Sequence, residues 1–267
     1  MSDPLSPARP RALVTGAAVR LGRQIALELG EMGFDVAVHY GGSADAAEDV
    51  VAALRGMGRE AVALQADLSK ENAVAGLIPA AAQALGGPLT CLVNNASVFE
   101  RDGFGDATRD SWDRHMDTNL RAPFRLIQDF AAQCPAALRD AEGEPIAQGV
   151  VVNLIDQRVR KLTPDFASYT ISRAALWTLT RTAAQALAPD IRVNAIGPGP
   201  TLKSTNQSFE QFARQRAATV LGRGATPEDV AEAVRYLVRA RAVTGQLICV
   251  DGGQHLAWET PDVTGVE

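Results

Sequence analysis

Residues 11–30, RALVTGAAVRLGRQIALELG, lead from a short apolar run through a turn of small residues into a helical pattern. The run ALV suits a buried strand, and Ile25 and Leu29 lie four positions apart, on one face of a helix. A strand that enters a helix through such a turn directs backbone N–H groups and the positive end of the helix dipole at one point. Because phosphates bind at such points, the stretch predicts a nucleotide-binding unit, although a plain strand-to-helix turn has the same pattern.

Apolar runs and helical patterns alternate along the rest of the chain. Further strand-like runs are FDVAVHY (34–40), EAVALQAD (60–67), LTCLVNN (89–95), GVVVNLI (149–155), IRVNAIG (191–197) and GQLICVDGG (245–253). Helical patterns occupy residues 44–58, 69–85, 112–134, 166–188 and 226–240, and a polar insert at 138–148 is predicted to be a surface loop.

Strands that are apolar throughout and separated by helices are typical of a parallel sheet with both faces covered. We therefore predict an α/β fold, a single doubly wound Rossmann-type domain with about seven strands, over residues 11–267. Residues 1–10, which are rich in proline, are predicted to form a flexible tail.

Composition and charge argue against several classes of protein. The chain has 267 residues and a formal net charge of −5, with no basic patch of the kind that binds nucleic acid. The three cysteines and three histidines are scattered, without the spacing of a metal site. No apolar stretch approaches the ~20 residues that cross a bilayer, and the N-terminus lacks the apolar segment of a signal peptide. We expect a cytoplasmic protein that acts on a small-molecule substrate, without metal, nucleic acid or membrane.

Ligands of a doubly wound sheet bind at the carboxyl ends of its strands, so the residues there carry the functional predictions. Gly16 and Gly22 fit the first and last positions of a phosphate-binding turn, and Arg20 lies beside it where a middle glycine is absent. The second strand ends in His39 and Tyr40, with no acid to meet a free ribose 2′-OH. A carboxylate would repel a 2′-phosphate, so we predict NADP(H) as the cofactor, unless His39 and Tyr40 only fill space.

Polar residues also follow the next strands. Ser43 stands at the start of a helix, where it could donate a further hydrogen bond, and Asp67, Asn95 and Ala96 follow the third and fourth strands. Asn119 interrupts a helical run. A buried Asn inside a helix is unfavourable unless it is hydrogen-bonded, so we expect a local kink and a functional side chain there.

The stretch SYTISRAAL (168–176) places Tyr169 and Arg173 one helical turn apart on a shared face. A fixed cation lowers the pKa of a phenol, which ordinarily ionises near pH 10. Asp156 follows the fifth strand, where a partly desolvated carboxyl could stay neutral and donate a proton, or else cap the following loop. After the sixth strand, GPGPTL (197–202) is a rigid turn that opens the segment expected to close over a substrate.

Five motifs in this order resemble those of the short-chain dehydrogenases/reductases: LVTGAA (13–18), NNA (94–96), YxxxR (169–173), NAIGPG (194–199) and VDGG (250–253). Within that family the chain most resembles the pteridine reductases, including the bacterial dihydropterin reductases. The narrower resemblance rests on Arg20 in the turn, on VHYGGS (38–43), on NNASVF (94–99), and on Asp156 at the position where other members carry a catalytic serine.

The resemblance implies hydride transfer from NADPH to a C=N bond of a pterin or folate, by a homotetramer. Tyr169 or Asp156 would protonate the nitrogen, Asn119 would keep the cation in place, and Phe99 would stack on the pterin, unless it is only a core aromatic. The implied catalytic residues are Tyr169, Arg173, Asp156 and Asn119, and the implied substrate-binding residues are Ser97, Phe99, Asp156 and Tyr169. The expected cofactor-binding residues are Gly16, Arg20, Leu21, Gly22, His39, Tyr40, Ser43, Asp67, Leu68, Asn95, Ala96, Tyr169, Arg173, Pro198, Gly199 and Thr201.

Two other functions remain open. A general carbonyl reductase would act on ketones or acyl thioesters, but Asp156 in place of serine and Phe99 argue against it. A nucleotide-binding sensor with little turnover is favoured by Arg173 alone, since this position usually holds lysine. An arginine keeps the charge but does not readily pass on a proton.

Overall fold

A seven-stranded parallel sheet forms the centre of the computed structural model, which describes residues 9–204 and 207–258. In chain order the strands are β1 (Arg11–Val14), β2 (Asp35–Tyr40), β3 (Ala61–Gln65), β4 (Cys91–Asn94), β5 (Leu138–Arg139), β6 (Pro145–Ile146), β7 (Gly149–Leu154), β8 (Ile191–Pro198) and β9 (Leu247–Val250). The order across the sheet is β3-β2-β1-β4-β7-β8-β9, which confirms the predicted doubly wound α/β fold. The short strands β5 and β6 pair with each other, so the insert predicted as a loop contains a hairpin.

Helices cover both faces of the sheet. They are α1 (Arg20–Glu31), α2 (Ala44–Gly56), α3 (Glu71–Ala75), α4 (Leu77–Ala84), α5 (Arg109–Met116), α6 (Ala122–Gln133), α7 (Ala167–Ala186), α8 (Phe209–Ala217) and α9 (Pro227–Arg239). The helix predicted over residues 69–85 is divided at Gly76, and α8 was not predicted. No helix among the residues described here has the length and apolarity that crossing a membrane requires.

Two cores explain why the strands are mostly apolar. In β1, Ala12 and Val14 pack on the side of α1, α2 and α9, whereas Leu13 packs on the side of α4, α6 and α7. Since successive side chains of a strand point to opposite faces, a strand buried on both faces has no polar face. Because β1, β4 and β7 are parallel neighbours at the centre of the sheet, their carboxyl ends lie side by side, and the candidate site lies there.

The two ends of the predicted domain are only partly described. Residues 1–8 of the predicted tail and residues 259–267 lie outside the described residues. Pro10, also assigned to the tail, accepts a hydrogen bond from the Asp35 N–H at 2.9 Å and so extends the pairing of β1 with β2.

Candidate active site

The turn between β1 and α1 has the conformation that its sequence suggests. Gly16 has a φ of +62°, which favours glycine, and a Cβ on Gly22 would overlap the carbonyl oxygen of Gly16. Arg20 has a φ of +54° although it is not a glycine. The adjacent Leu21 packs against the core on the α1 side. The turn therefore places the N-terminus of α1 at the carboxyl end of β1, the position at which phosphates bind.

Asn95 and Thr15 fasten this turn to the end of β4. The Asn95 side chain donates to the carbonyl oxygens of Thr15 at 2.8 Å and Gly16 at 3.1 Å. In return, the Thr15 hydroxyl accepts from the N–H groups of Asn95 at 2.9 Å and Ala96 at 3.0 Å. The Asn95 side chain thus holds the turn between β1 and α1 in its conformation through hydrogen bonds to its backbone.

His39 has a different role from the predicted one. Its Nδ1 accepts a hydrogen bond from the Gly16 N–H at 3.0 Å, so Nε2 carries the proton and donates to the Ala66 carbonyl oxygen at 3.1 Å. The ring is 2% exposed, and burial lowers its pKa. His39 is therefore neutral and braces the glycine turn against the end of β3, which corrects the prediction that its side chain faces the cofactor. Tyr40 is partly exposed and Ser43 exposed, and the Ser43 hydroxyl makes no capping bond.

The Arg20 guanidinium is exposed and reaches across to the segment after β8. It donates to the carbonyl oxygens of Lys203 at 3.2 Å and Leu202 at 3.4 Å. These neutral acceptors leave its charge uncompensated by a carboxylate, so an anion such as a 2′-phosphate could compete for it.

The residues after β3 and β8 mostly make contacts within the protein. The Asp67 carboxylate accepts from the Ser69 N–H at 2.9 Å and the Ser69 hydroxyl at 2.8 Å, bonds that lower its pKa. Leu68 is buried in the core on the α4 side, so its side chain is not available to a cofactor. The Thr201 hydroxyl donates to the Gly199 carbonyl oxygen at 3.1 Å, just beyond Pro198, the last residue of β8.

Tyr169 and Asp156 are directly hydrogen-bonded. The Tyr169 hydroxyl donates to Asp156 Oδ2 at 2.9 Å, while Asp156 Oδ1 accepts from the Arg158 N–H at 2.7 Å. Asp156 therefore both contacts the tyrosine and caps the turn that follows it, so the two roles considered from the sequence coexist. Burial raises the pKa of the Asp156 carboxyl, despite the Arg158 N–H bond that favours its ionised form. A neutral carboxylic acid at this point can donate a proton.

The pKa of Tyr169 is raised, not lowered as expected from its cationic neighbour. Burial is the main cause and the negative charge of Asp156 the second, and together they outweigh the positive charge of Arg173. The Arg173 guanidinium lies over the tyrosine ring, 5.2 Å from its centroid, and donates to the Leu154 carbonyl oxygen at 3.1 Å. Arg173 is 2% exposed, and its buried Nε has no partner among the described residues.

Asn119 lies where the predicted long helix is interrupted by a π-helical turn, Asp117–Arg121, which bears out the expected kink. Its side chain accepts from the Val98 N–H and donates to the Val98 carbonyl oxygen, both at 2.9 Å, and also donates to the Ser172 hydroxyl at 3.2 Å. It makes no hydrogen bond to Arg173. Asn119 therefore holds the segment after β4, and the expectation that it keeps the cation and a relay water in place stays a prediction.

An aromatic cluster borders the Tyr169–Asp156 pair. Phe99 is 46% exposed, so it is not a core residue, and its ring lies edge-on to Tyr169 with centroids 4.8 Å apart. Phe99 also stacks on Phe166, with centroids 4.6 Å apart and the planes 7° from parallel. Ser97 is exposed beside it and donates to the Val98 carbonyl oxygen at 3.2 Å.

Phe166 was not predicted from the sequence. Its φ of +60° is unusual for a bulky residue and brings the start of α7 against Phe99. No composition or spacing signals such a conformation, because only the surrounding contacts stabilise it.

The comparisons with known proteins agree with this geometry. The model of the family described as Enoyl-(Acyl carrier protein) reductase matches residues 16–255. The chain is 35% identical over 250 residues to 3-oxoacyl-(acyl-carrier-protein) reductase FabG of Staphylococcus epidermidis, covering 92% of this chain and 98% of that protein. It is 34% identical over 255 residues to a short-chain dehydrogenase/reductase of Armillaria gallica, and this match covers 91% of this chain and 94% of that protein.

Among solved structures, FolM alternative dihydrofolate reductase 1 from Brucella suis, in complex with NADP, is similar with a TM-score of 0.88. It is 45% identical, and the match covers 96% of this chain and 98% of the Brucella chain. A relative with bound NADP agrees with the predicted cofactor. From the matched residues, the extent of the relatives and the sheet order, the chain belongs to the short-chain dehydrogenase/reductase family of oxidoreductases.

Proposed function

We propose that the protein is an NADPH-dependent reductase that transfers hydride to a C=N bond of a pterin or folate, converting a dihydropterin to a tetrahydropterin. The observation that carries this proposal is the Asp156 carboxyl, which accepts from the Tyr169 hydroxyl and whose pKa is raised by burial. A C=N bond needs a proton at nitrogen when hydride reaches carbon, and a carboxyl whose pKa is raised by burial keeps its proton to higher pH than a free carboxyl does.

The chain has groups that fit NADP(H). The turn from Gly16 to Gly22, where a Cβ on Gly22 would clash with the Gly16 carbonyl oxygen, suits a pyrophosphate, and Arg20 suits a 2′-phosphate. The Nε of Arg173, which has no partner among the described residues, is a candidate donor for a ribose hydroxyl. When bound, the nicotinamide supplies the hydride.

The other residues hold the substrate and its proton. Phe99 offers an exposed ring for stacking a flat heterocycle, worth about 1 kcal/mol. Asp156 is the candidate proton donor, and the hydrogen bond from the Tyr169 hydroxyl fixes the direction of its carboxyl group. Arg158 N–H fixes the other oxygen. Two hydrogen bonds thus orient the Asp156 carboxyl, the candidate proton donor.

One relative supports this substrate class. The Brucella protein named alternative dihydrofolate reductase is 45% identical to this chain, against 35% for the 3-oxoacyl reductase of Staphylococcus epidermidis. The latter relative supports the second candidate, a reductase of ketones or acyl thioesters. The third candidate, a nucleotide-binding sensor with little turnover, is supported by the raised pKa of Tyr169, since a weaker phenolic acid transfers its proton less readily.

One experiment separates the three functions. Oxidation of NADPH is followed by its absorbance with four kinds of substrate: dihydrobiopterin, dihydrofolate, an acetoacetyl thioester and a set of simple ketones. The proposal expects the two pterin substrates to have values of kcat/KM at least about tenfold above any carbonyl substrate. Higher values with the thioester or a ketone would favour the second candidate. Tight NADPH binding without turnover of any substrate would favour the third.

We further propose that the chain is a cytoplasmic, single-domain protein that assembles as a homotetramer. Large apolar side chains that a partner subunit could cover are exposed on three neighbouring helices: Trp112 on α5, Phe124 on α6 and Ile171 on α7. Light scattering after gel filtration would measure the assembly, and a monomer at micromolar concentration would contradict it.

A further inference from the structure

A buried polar network lies between α5, α7 and the segment after β4, apart from the Tyr169–Asp156 pair. Its members are Asp102, which is 4% exposed, and His115 and Ser168, which are both fully buried. Buried polar groups destabilise a fold unless they are hydrogen-bonded, so each bond in this network constrains the position of its partners.

The protons of the network can be assigned from its donors. The Glu100 N–H, which can only donate, lies 3.2 Å from His115 Nε2, so in the neutral ring that nitrogen is the acceptor and Nδ1 carries the proton. Nδ1 lies 2.7 Å from the Ser168 hydroxyl oxygen and 2.9 Å from the Ser111 carbonyl oxygen. The Ser168 hydroxyl in turn donates to the Asp102 carboxylate. A directed chain of bonds therefore runs from Glu100 through His115 and Ser168 to Asp102.

Asp102 anchors the far end of this chain as an ionised group. It also accepts from the Ser168 N–H at 3.1 Å and from the Ser111 hydroxyl at 3.0 Å. Burial alone would raise the pKa of Asp102, but the bonds from Ser168 and Ser111 outweigh burial and hold it below its usual value. A carboxylate with several such donors is a rigid support for the start of α7.

Two residues of this chain of bonds are sequence neighbours of side chains in the active site. Glu100 follows Phe99, and Ser168 precedes Tyr169, whose ring centroid lies 6.1 Å from that of His115. On the other side of Phe99, Asn119 holds both polar groups of the Val98 backbone. Phe99 is therefore held between two backbone anchors.

We propose that Asp102, Ser168 and His115 act as positioning residues that hold Phe99 against Tyr169 and thereby fix the direction in which the exposed Phe99 ring meets the substrate. This inference rests on the proposed function only in taking Phe99 as the surface on which the ring stacks. None of the three side chains needs to touch the substrate. Their effect passes through the backbone of Glu100 and the first turn of α7.

Two substitutions of His115 separate the two halves of the network. His115→Asn keeps an N–H donor near the Nδ1 position for Ser168 but has no acceptor for the Glu100 N–H. His115→Gln places a side-chain oxygen near the Nε2 position and keeps that acceptor. Asp113→Asn on the same helix is the control, because Asp113 pairs only with exposed Arg109 among the described residues.

We expect His115→Asn to raise KM for dihydropterin by roughly tenfold, the size of effect expected when one stacked aromatic is misplaced. The Kd of NADPH should stay unchanged, as should all constants of Asp113→Asn. His115→Gln should raise KM by less than about threefold. In a double-mutant cycle, His115→Asn should add nothing to the loss caused by Phe99→Ala, because both changes remove the same contact.

Hydrogen exchange makes the test independent of the substrate. In the protein with NADPH, exchange of residues 97–103 should be faster in His115→Asn than in the unmodified protein, and nearly unchanged in His115→Gln. Ser168→Ala, which keeps its backbone N–H to Asp102, provides a second variant should His115→Asn not fold. Unaltered exchange in both His115→Asn and Ser168→Ala would overturn the inference. Effects of His115→Asn and Phe99→Ala on KM that simply add would overturn it too. Failure of the proposed function would show instead as no pterin-dependent NADPH oxidation in the unmodified protein, while the exchange result still stands.

Discussion

The Tyr169 hydroxyl donates a hydrogen bond to the Asp156 carboxylate across 2.9 Å. Both groups are buried, and burial raises the pKa of the Asp156 carboxyl and of the Tyr169 hydroxyl. Of the two, the carboxyl has the lower intrinsic pKa and is therefore the stronger proton donor. The geometry thus favours Asp156 as the group that protonates the substrate, with Tyr169 as its orienting partner.

The first prediction follows for Asp156→Asn, which keeps the shape of the side chain but has no proton to transfer. Turnover of dihydropterin should fall roughly 10²- to 10⁴-fold, the usual contribution of a general acid. In the unmodified protein, the acid is protonated below its raised pKa, so kcat should decline as pH rises through that pKa. This decline should be absent from the residual activity of the variant. Unchanged turnover would leave Asp156 only its role as a cap of the following turn.

The second prediction concerns Tyr169→Phe. The variant loses the hydrogen bond that stabilises the ionised form of Asp156, so the pKa of that carboxyl should rise further. The decline of kcat should therefore move to higher pH, and the loss of turnover should be smaller than in Asp156→Asn. A loss as large as that of Asp156→Asn, without a shift of the pH profile, would identify Tyr169 as the main proton donor.

The fold was predictable because its strands have no polar face. Burial on both sides leaves only apolar residues in runs such as Ala12 to Val14, and that pattern is visible without any contact information. The kink at Asn119 was predictable for a related reason, since a buried Asn inside a helical run needs a partner. The partner itself, the Val98 backbone, is 21 positions away and has no signature in the sequence.

The electrostatics of the site could not be obtained in the same way. The spacing of Tyr169 and Arg173 predicted a shared face, but the guanidinium lies over the ring and the hydroxyl faces Asp156. Burial and Asp156 raise the pKa of Tyr169, whereas Arg173 lowers it. Which effect is larger depends on distances and burial that the sequence does not contain. His39 shows the same limit, because the motif places it correctly while its bonds to Gly16 and Ala66 decide its role.

The third prediction concerns the choice of cofactor. Arg20→Ala should reduce the preference for NADPH over NADH, which we expect to be at least about tenfold (~1.4 kcal/mol) in the unmodified protein, and should leave NADH binding nearly unchanged. Arg20→Gly is the matched variant. It removes the same charge but relaxes a residue with a φ of +54°, so it should be more stable than Arg20→Ala by about 1 kcal/mol. Dissociation constants of both cofactors and thermal unfolding check these outcomes, and equal affinity of the unmodified protein for both cofactors would contradict the assignment of Arg20.

The last prediction concerns Arg173→Lys, which restores the residue common at this position in the family. Lysine keeps the positive charge and gains the ability to pass on a proton, so it would raise turnover if proton resupply were limiting. The structure favours the opposite outcome. Arg173 is 2% exposed, its guanidinium lies over the Tyr169 ring and donates to the Leu154 carbonyl oxygen, and a compact ammonium cannot keep both contacts.

We therefore expect Arg173→Lys to lower kcat and NADPH affinity together, by roughly tenfold each, since a buried cation that loses one hydrogen bond is displaced from both partners. Arg173→Ala, which removes the charge and every donor, should be more severe in both constants. Steady-state kinetics and direct titration with NADPH measure the two effects separately. A rise of kcat in Arg173→Lys with a changed pH profile would show that proton resupply limits this enzyme and that the pocket tolerates the shorter cation.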